Sequence, residues 1–426
     1  MTRTPERPPR ELRRRRAPDL AAIARAWDAA LQRELPDAVE LRHRLHATPE
    51  ISGAEQRTTA TVTGALADGS LAGGALTDVG EAVAGTGRVL RFGPRGPAVA
   101  VRAELDALPV TERTGAPWAA SNGAMHACGH DVHLAAVVAV ARAARRLELP
   151  AGLVVVLQPR EEVGPTGATD VVASGVLERM GVRSIVAAHV QPLVPAGAVS
   201  ADPGAVNAAV DELEITITGR GGHSAYPHLA VDPVPALSAA LLALQETVRS
   251  TLDPLRPVVL ALPQIWGAAA PNVIAERAGA AGTLRTMHPE DALLLHDRIA
   301  RTVSGVASAY GCRGDVVVRS ADPALVNHAG TALAAHELLA GLGVPLARFS
   351  SLGADDFATY GIAVPTLMLF VGTGEGPAGP ILHDPRYLPG DDRIRDVARA
   401  VIAGWLGAVR ATVLTPSPEW PVGGAT

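Results

Sequence analysis

The chain has 426 residues, 48% of them apolar and 19% charged, which is enough for two domains with proper cores. Its formal net charge of −5 gives no general attraction to nucleic acid or anionic lipid, and all 38 basic residues are arginine. The absence of lysine excludes Schiff-base catalysis, a pyridoxal phosphate anchor, Ser-Lys hydrolysis and a phosphate-loop lysine.

Residues 1–18 read as a solvated basic tail, and Asp19, Arg25 and Asp28 interrupt any signal-peptide core after Arg13–Arg16. The segment 20–45 reads as one amphipathic helix with Leu20, Ile23, Trp27 and Leu31 on one face. The runs 99–103, 153–157 and 185–188 are continuous, apolar and of strand length, as expected for buried parallel strands. Each ends in acid or imidazole: Glu104 and Asp106, Glu161 and Glu162, then His189. Between the first two, 131–147 reads as a helix, which puts Cys128-Gly-His130 in the loop entering it. A fourth run, 365–371, leads through a glycine-rich loop to His383. In open α/β sheets the ligand crevice lies at the carboxyl ends of the strands, so these groups are expected to converge there.

The middle of the chain has another rhythm. Strand-like 211–218, helical 233–250, strand-like 258–265 and 275–285, helical 290–310 and strand-like 315–319 follow the β-α-β-β-α-β order of a ferredoxin-like unit. The expected fold is therefore α/β: a larger domain with a mostly parallel sheet and flanking helices, 19–207 and 323–415, interrupted by a ferredoxin-like α+β domain at 208–322. A flexible tail is expected at 416–426. No apolar stretch reaches about 18 residues, the length of a membrane helix. The two cysteines, Cys128 and Cys312, do not look like a disulfide framework and fit a reducing compartment, the cytoplasm.

Met125 to His133 packs three histidines, a cysteine and an aspartate into nine positions. Singly, a cysteine is a small core hydrophobe and a glutamate pair a solvated loop. Together, Cys128, His130, Glu161, Glu162, His189 and His383 lie at strand ends or in adjoining loops on one edge. Thiolate, imidazole and carboxylate are the ligand set of borderline transition metals, with zinc the default and manganese or cobalt possible. Of two consecutive glutamates, one can bind metal while the other stays free as a base.

The segments Arg102-Ala-Glu-Leu-Asp-Ala-Leu-Pro109, His126-Ala-Cys-Gly-His-Asp131, Gln158-Pro-Arg-Glu-Glu162, Ala188-His-Val-Gln-Pro192, Gly219-Arg-Gly-Gly-His-Ser224, Pro271-Asn-Val-Ile274 and Leu382-His-Asp-Pro385 occur in this order. They closely resemble the amidohydrolase branch of the aminoacylase and carboxypeptidase-G-like dinuclear metallopeptidases, which includes hippurate hydrolases, N-acetyl-diaminopimelate deacetylases and auxin-conjugate hydrolases. The resemblance spans about residues 38–410. It implies two divalent metal ions, zinc or else manganese, cobalt or nickel, held by Cys128, His130, Glu162, His189 and His383, with Cys128 bridging. It implies Glu161 as general base for hydrolysis of a small-molecule amide, an N-acyl amino acid. The inserted domain becomes a lid and dimerisation domain whose His223, supplied by the other subunit of a homodimer, stabilises the oxyanion. Asn272 and Arg285 match binders of the substrate's free carboxylate, and Asp106 an acid that orients a ligand.

Departures from the branch are Glu104 for a usual Asp, Leu157 for Phe, Ala188 for Gly, and Gly353-Ala-Asp-Asp-Phe357 for Gly-Ser-Glu-Asp-Phe. They touch no implied ligand and bear on the substrate pocket. A cysteine hydrolase, with Cys128 attacking and His130 or His126 as base, leaves the glutamate pair and two remote histidines without a role. Serine catalysis fails because Gly222-His-Ser-Ala-Tyr226 lacks the closing glycine of a nucleophile elbow. An inactive, metal-stabilised dimeric binding protein would lack a base or a ligand, and none is missing. A dipeptidase or N-carbamoyl amino acid hydrolase keeps the fold and changes the reaction.

Overall fold

The structure, a computed structural model, describes residues 18–67, 80–374 and 376–415. The basic tail, apart from Pro18, and the tail at 416–426 lie outside the described residues.

Apolar runs without alternation demand cover on both faces, and the central sheet provides it. Its parallel centre is Gly152–Gln158, Ala98–Glu104, Val182–Gln191 and Thr366–Gly372, side by side in that order. Antiparallel Gly87–Phe92 and Glu81–Val83 extend one edge, while Leu325–Asn327 and Gly204–Asn207 extend the other. Within Ala98–Glu104, Val99 and Val101 face one apolar layer while Ala98 and Ala100 face the other. The register sets strand ends level: Glu104 lies opposite Gln158, and His189 opposite Phe370. Side chains just beyond these ends therefore share one rim.

Helices His130–Ala144 and Asp392–Ala408 are almost wholly buried on one face of the sheet. Trp27 and Trp405 meet edge to face at 5.3 Å, and their indole N–H groups donate to the carbonyls of Val140 and Val99, both at 3.0 Å. The segment Asp392–Leu414 is long and apolar enough to cross a bilayer, which no run in the sequence suggested, but most of it is buried in this layer.

Two element boundaries correct the sequence reading. The helix expected over 20–45 is two, Leu20–Leu31 and Leu35–Ala47, because Pro36 lacks an N–H and fits only the first turn of a new helix. The helix expected from Asp131 begins at His130, so this imidazole sits on a helical turn and not in a loop.

The second sheet is antiparallel, in the order Val258–Trp266, Arg277–Thr286, Ala209–Thr218, Arg313–Asp322. Helices Pro233–Thr251 and Pro289–Ala309 pack on it around Ile215, Ile217, Leu244, Leu295 and Ile299, completing the ferredoxin-like arrangement. A two-stranded ribbon, Gly222–His223 with Val273–Ile274, is added to it.

Candidate metal centre

Close approach begins at Gly129, which has φ +84°; a Cβ there would lie 2.5 Å from Val190 Cγ2. Glycine thus lets the Cys128 loop settle against the strand that carries His189, and Cys128 Sγ comes 3.4 Å from His189 Nε2. His189 Nδ1 faces the Val190 carbonyl at 2.7 Å, and His130 Nδ1 faces the Asp106 carbonyl at 2.8 Å. Because a carbonyl only accepts, both rings carry a proton on Nδ1 and turn Nε2 toward the cluster. His130 Nε2 is buried without a hydrogen-bond partner, 3.8 Å from Glu161 Oε2 and 3.9 Å from Glu162 Oε1. His383 adopts φ +70°, rare for a residue with a side chain, and its N–H donates to the Ala127 carbonyl at 2.9 Å. That bond ties the two loops together and leaves His383 Nε2 3.3 Å from Glu162 Oε1.

The electrostatics of this cluster call for positive charge. Burial, then Glu162, Glu161 and Glu104, pushes the Cys128 thiol well above its ordinary range. Burial, then Asp355, Glu162 and Asp356, pushes Glu161 well above the carboxylate range. Burial opposes ionisation of Glu162, but His383 and His130 outweigh it and hold this carboxyl low. Burial, with His133 alongside, lowers His189 to about 4, so the ring is neutral. Donor atoms of Cys128, His130 and Glu162 all lie within 4.8 Å of one another. A divalent cation there would favour the thiolate and give the stranded His130 Nε2 a partner in place of a proton, so the donor set fits metal.

Cys128, Glu161, Glu162, His189 and His383 line one cavity of about 240 Å³, with Gln191, Asn207, Gly353, Asp355 and Phe370 among the other residues of its wall. His223 and Asn272 do not border it. Both are exposed, and Ser224 N–H donates to the Asn272 carbonyl on the two-stranded ribbon. Arg285 is nearer: its Nη1 donates at 2.9 Å to the carbonyl of Leu352, the residue before Gly353 in the cavity wall. Asp106 acts through two groups. Its carbonyl orients His130, and its carboxylate Oδ2 accepts Glu162 N–H at 3.0 Å and the Ser52 hydroxyl at 2.7 Å.

Several site residues carried no role in the sequence reading. Arg102, fully buried, donates to Glu104, to Asp356 at 2.6 Å, to Asp355 at 3.3 Å and to Gln158 at 2.8 Å. His133 donates from Nδ1 to Glu104 at 2.9 Å and accepts Val190 N–H at 3.0 Å, which fixes the strand next to His189. The signal for Arg102 was its place two residues before Glu104 on one strand, hence on the same face.

A family model described as "Peptidase family M20/M25/M40" matches residues 100–403. A Synechocystis protein described as a probable hydrolase is 38% identical over 83% of this chain and 91% of its own length. N-acetylcysteine deacetylase of Bacillus subtilis is 32% identical, over 79% of this chain and 88% of its own. A Bacillus subtilis crystal structure, described as a dinuclear metal-binding peptidase of the M20 family, superposes with a TM-score of 0.76 at 27% identity, covering 89% of this chain and 99% of that one.

Proposed function

Because the chain belongs to peptidase family M20/M25/M40 and is a metal-dependent amidohydrolase of N-acyl amino acids, we propose how its residues divide that work. Cys128, His130, Glu162, His189 and His383 would hold two divalent cations. When bound, the cations supply Lewis acidity, which lowers the pKa of a water and polarises the amide carbonyl. Glu161 is the general base: it takes the water proton on its carboxylate and hands it to the leaving amine nitrogen. The observation that carries this assignment is that Glu161 shares the cavity with Cys128, Glu162, His189 and His383, its carboxylate 3.8 Å from His130 Nε2 and outside the close group of Cys128, His130 and Glu162, though near Asp355 and Asp356.

The acyl group is small in this reading. Its support is the relatives, among which N-acetylcysteine deacetylase and N-acetyldiaminopimelate deacetylases are named for removal of acetyl. A thiolate ligand favours zinc, while manganese, cobalt and nickel also suit imidazole and carboxylate. Arg285 binds the substrate's free carboxylate by a two-pronged bond, and Asn272 joins it from the same exposed ribbon as His223, across the dimer. His223 stabilises the oxyanion from the partner of a homodimer joined through the lid. Its support is position: His223 and Asn272 share an exposed ribbon away from the cavity of their own chain, with Tyr226, Leu229 and Val273 exposed beside them. Two free cysteines suit the cytoplasm.

Purified protein incubated with N-acetyl, N-benzoyl, indoleacetyl and N-carbamoyl amino acids, with zinc, manganese or cobalt added, tests this reading. Fastest release of free amine from N-acetyl substrates supports it. Preference for N-carbamoyl substrates would replace it with the carbamoylase alternative.

A further inference from the structure

The turn that carries Glu161 and Glu162 is held from behind by a segment that takes no part in the metal centre. Arg160 has φ +51°, a left-handed conformation that strains a residue with a Cβ. Its N–H donates at 3.0 Å to Glu55 Oε1, which also accepts the N–H of Gly53 at 2.7 Å. The other oxygen, Glu55 Oε2, accepts the Thr86 hydroxyl at 2.7 Å. Glu55 is fully buried, just before the helix Gln56–Ala67, and a carboxylate so placed is tolerable only when hydrogen-bonded. Three positions earlier, Ser52 reaches Asp106, the acceptor of Glu162 N–H. The N–H groups on both sides of Glu161 therefore end on carboxylates, and both carboxylates are tied to the short stretch from Ser52 to Glu55. From the other side, Gly167 N–H donates to the Arg160 carbonyl at 2.9 Å, and a Cβ on Gly167 would lie 1.8 Å from the Pro159 carbonyl oxygen.

We propose that Glu55 is a positioning residue for the hydrolysis: by holding Arg160 in its left-handed conformation it aims Glu161 into the cavity. The inference rests on the reading of Glu161 as base. Without Glu55, Arg160 N–H loses its acceptor and the residue relaxes toward an ordinary φ, which rotates the peptide leading into Glu161. Glu162 stays tethered through Asp106, and the remaining ligands come from other elements. Base placement is lost while metal binding persists.

The test uses the metal-loaded full chain and an N-acetyl amino acid, measuring kcat, KM and metal content for Glu55→Leu, Glu55→Gln and the pair Glu55→Leu with Arg160→Gly. Glu55→Leu is expected to lower kcat by about tenfold to a hundredfold, with KM within about threefold and metal content unchanged. Glu55→Gln keeps an accepting oxygen and restores kcat to within about threefold of the parent. Adding Arg160→Gly to Glu55→Leu recovers part of the loss, because glycine holds a positive φ without support. Should Glu55→Leu fail to fold, Glu55→Asp, one methylene short of Arg160 N–H, carries the same expectation. An unchanged kcat, or loss of metal in step with kcat and no recovery with Arg160→Gly, would overturn the inference. An undiminished kcat in Glu161→Gln would instead defeat the reading of Glu161 as base, and with it the premise.

Discussion

The carboxylate of Asp106 accepts the backbone N–H of Glu162 at 3.0 Å, joining residues 56 positions apart. The His130 ring leans on the carbonyl of the same residue, so Asp106 orients two proposed ligands through two different groups. Asp106→Ala removes only the carboxylate. We expect it to weaken metal affinity and kcat/KM by about tenfold to a hundredfold. Competition with a chelator, read as free metal against chelator concentration, checks this; unchanged affinity would mean that the Glu162 N–H needs no acceptor.

Arg102 is the cation of a buried group that includes Glu104, Asp355 and Asp356. Despite burial, which opposes its charge, those carboxylates raise its pKa well above the ordinary value. Arg102→Met leaves the acids in low dielectric with no compensating charge. The loss should be about 3–5 kcal/mol in denaturant unfolding, and an unfolding midpoint equal to the parent's would show the acids to be neutral already.

Trp405 is fully buried, stacked edge-on against Trp27 and bonded to the Val99 carbonyl. Trp405→Ala should cost about 3–5 kcal/mol of stability through the cavity it leaves. Metal content per folded chain should not change, since Trp405 lies in the helical layer and not at the strand ends. Coupled loss of metal would contradict that separation.

If His223 acts across a dimer, two inactive variants can repair one another. Mixing Glu161→Gln with His223→Ala subunits should restore about a quarter of the parent activity, because half the dimers are mixed and each has one intact site. Mixtures as inactive as their components, after subunit exchange has been verified by mass, would place His223 in its own chain's site or remove it from the reaction.

What the sequence disclosed follows from range. Apolar runs ending in Glu104, Glu161 and His189 report their own strand ends, so the sheet and the donor set could be read locally. At Pro36 two local signals conflict: apolar periodicity runs through it, but its missing N–H allows it only in the first turn of a new helix, and the second signal decides. Arg102 was readable only in part: its spacing puts it on the face of Glu104, but its partners Asp355 and Asp356 are 253 and 254 positions away, beyond the reach of any local pattern. Glu55 and Arg160 are likewise 105 positions apart, and no periodicity records a left-handed turn at a non-glycine residue. The exposed ribbon that carries His223 and Asn272 was visible as motif, but its distance from the cavity was not.

The most direct measurement compares Glu161→Gln with the parent, each loaded with metal, for turnover of an N-acetyl amino acid and for ions bound per chain. Two ions in both proteins and a kcat lowered by about a hundredfold or more in the variant are the expected results. Equal turnover in the two proteins, or full parent activity after the metal has been stripped, would contradict a reaction driven by Glu161 beside a metal pair.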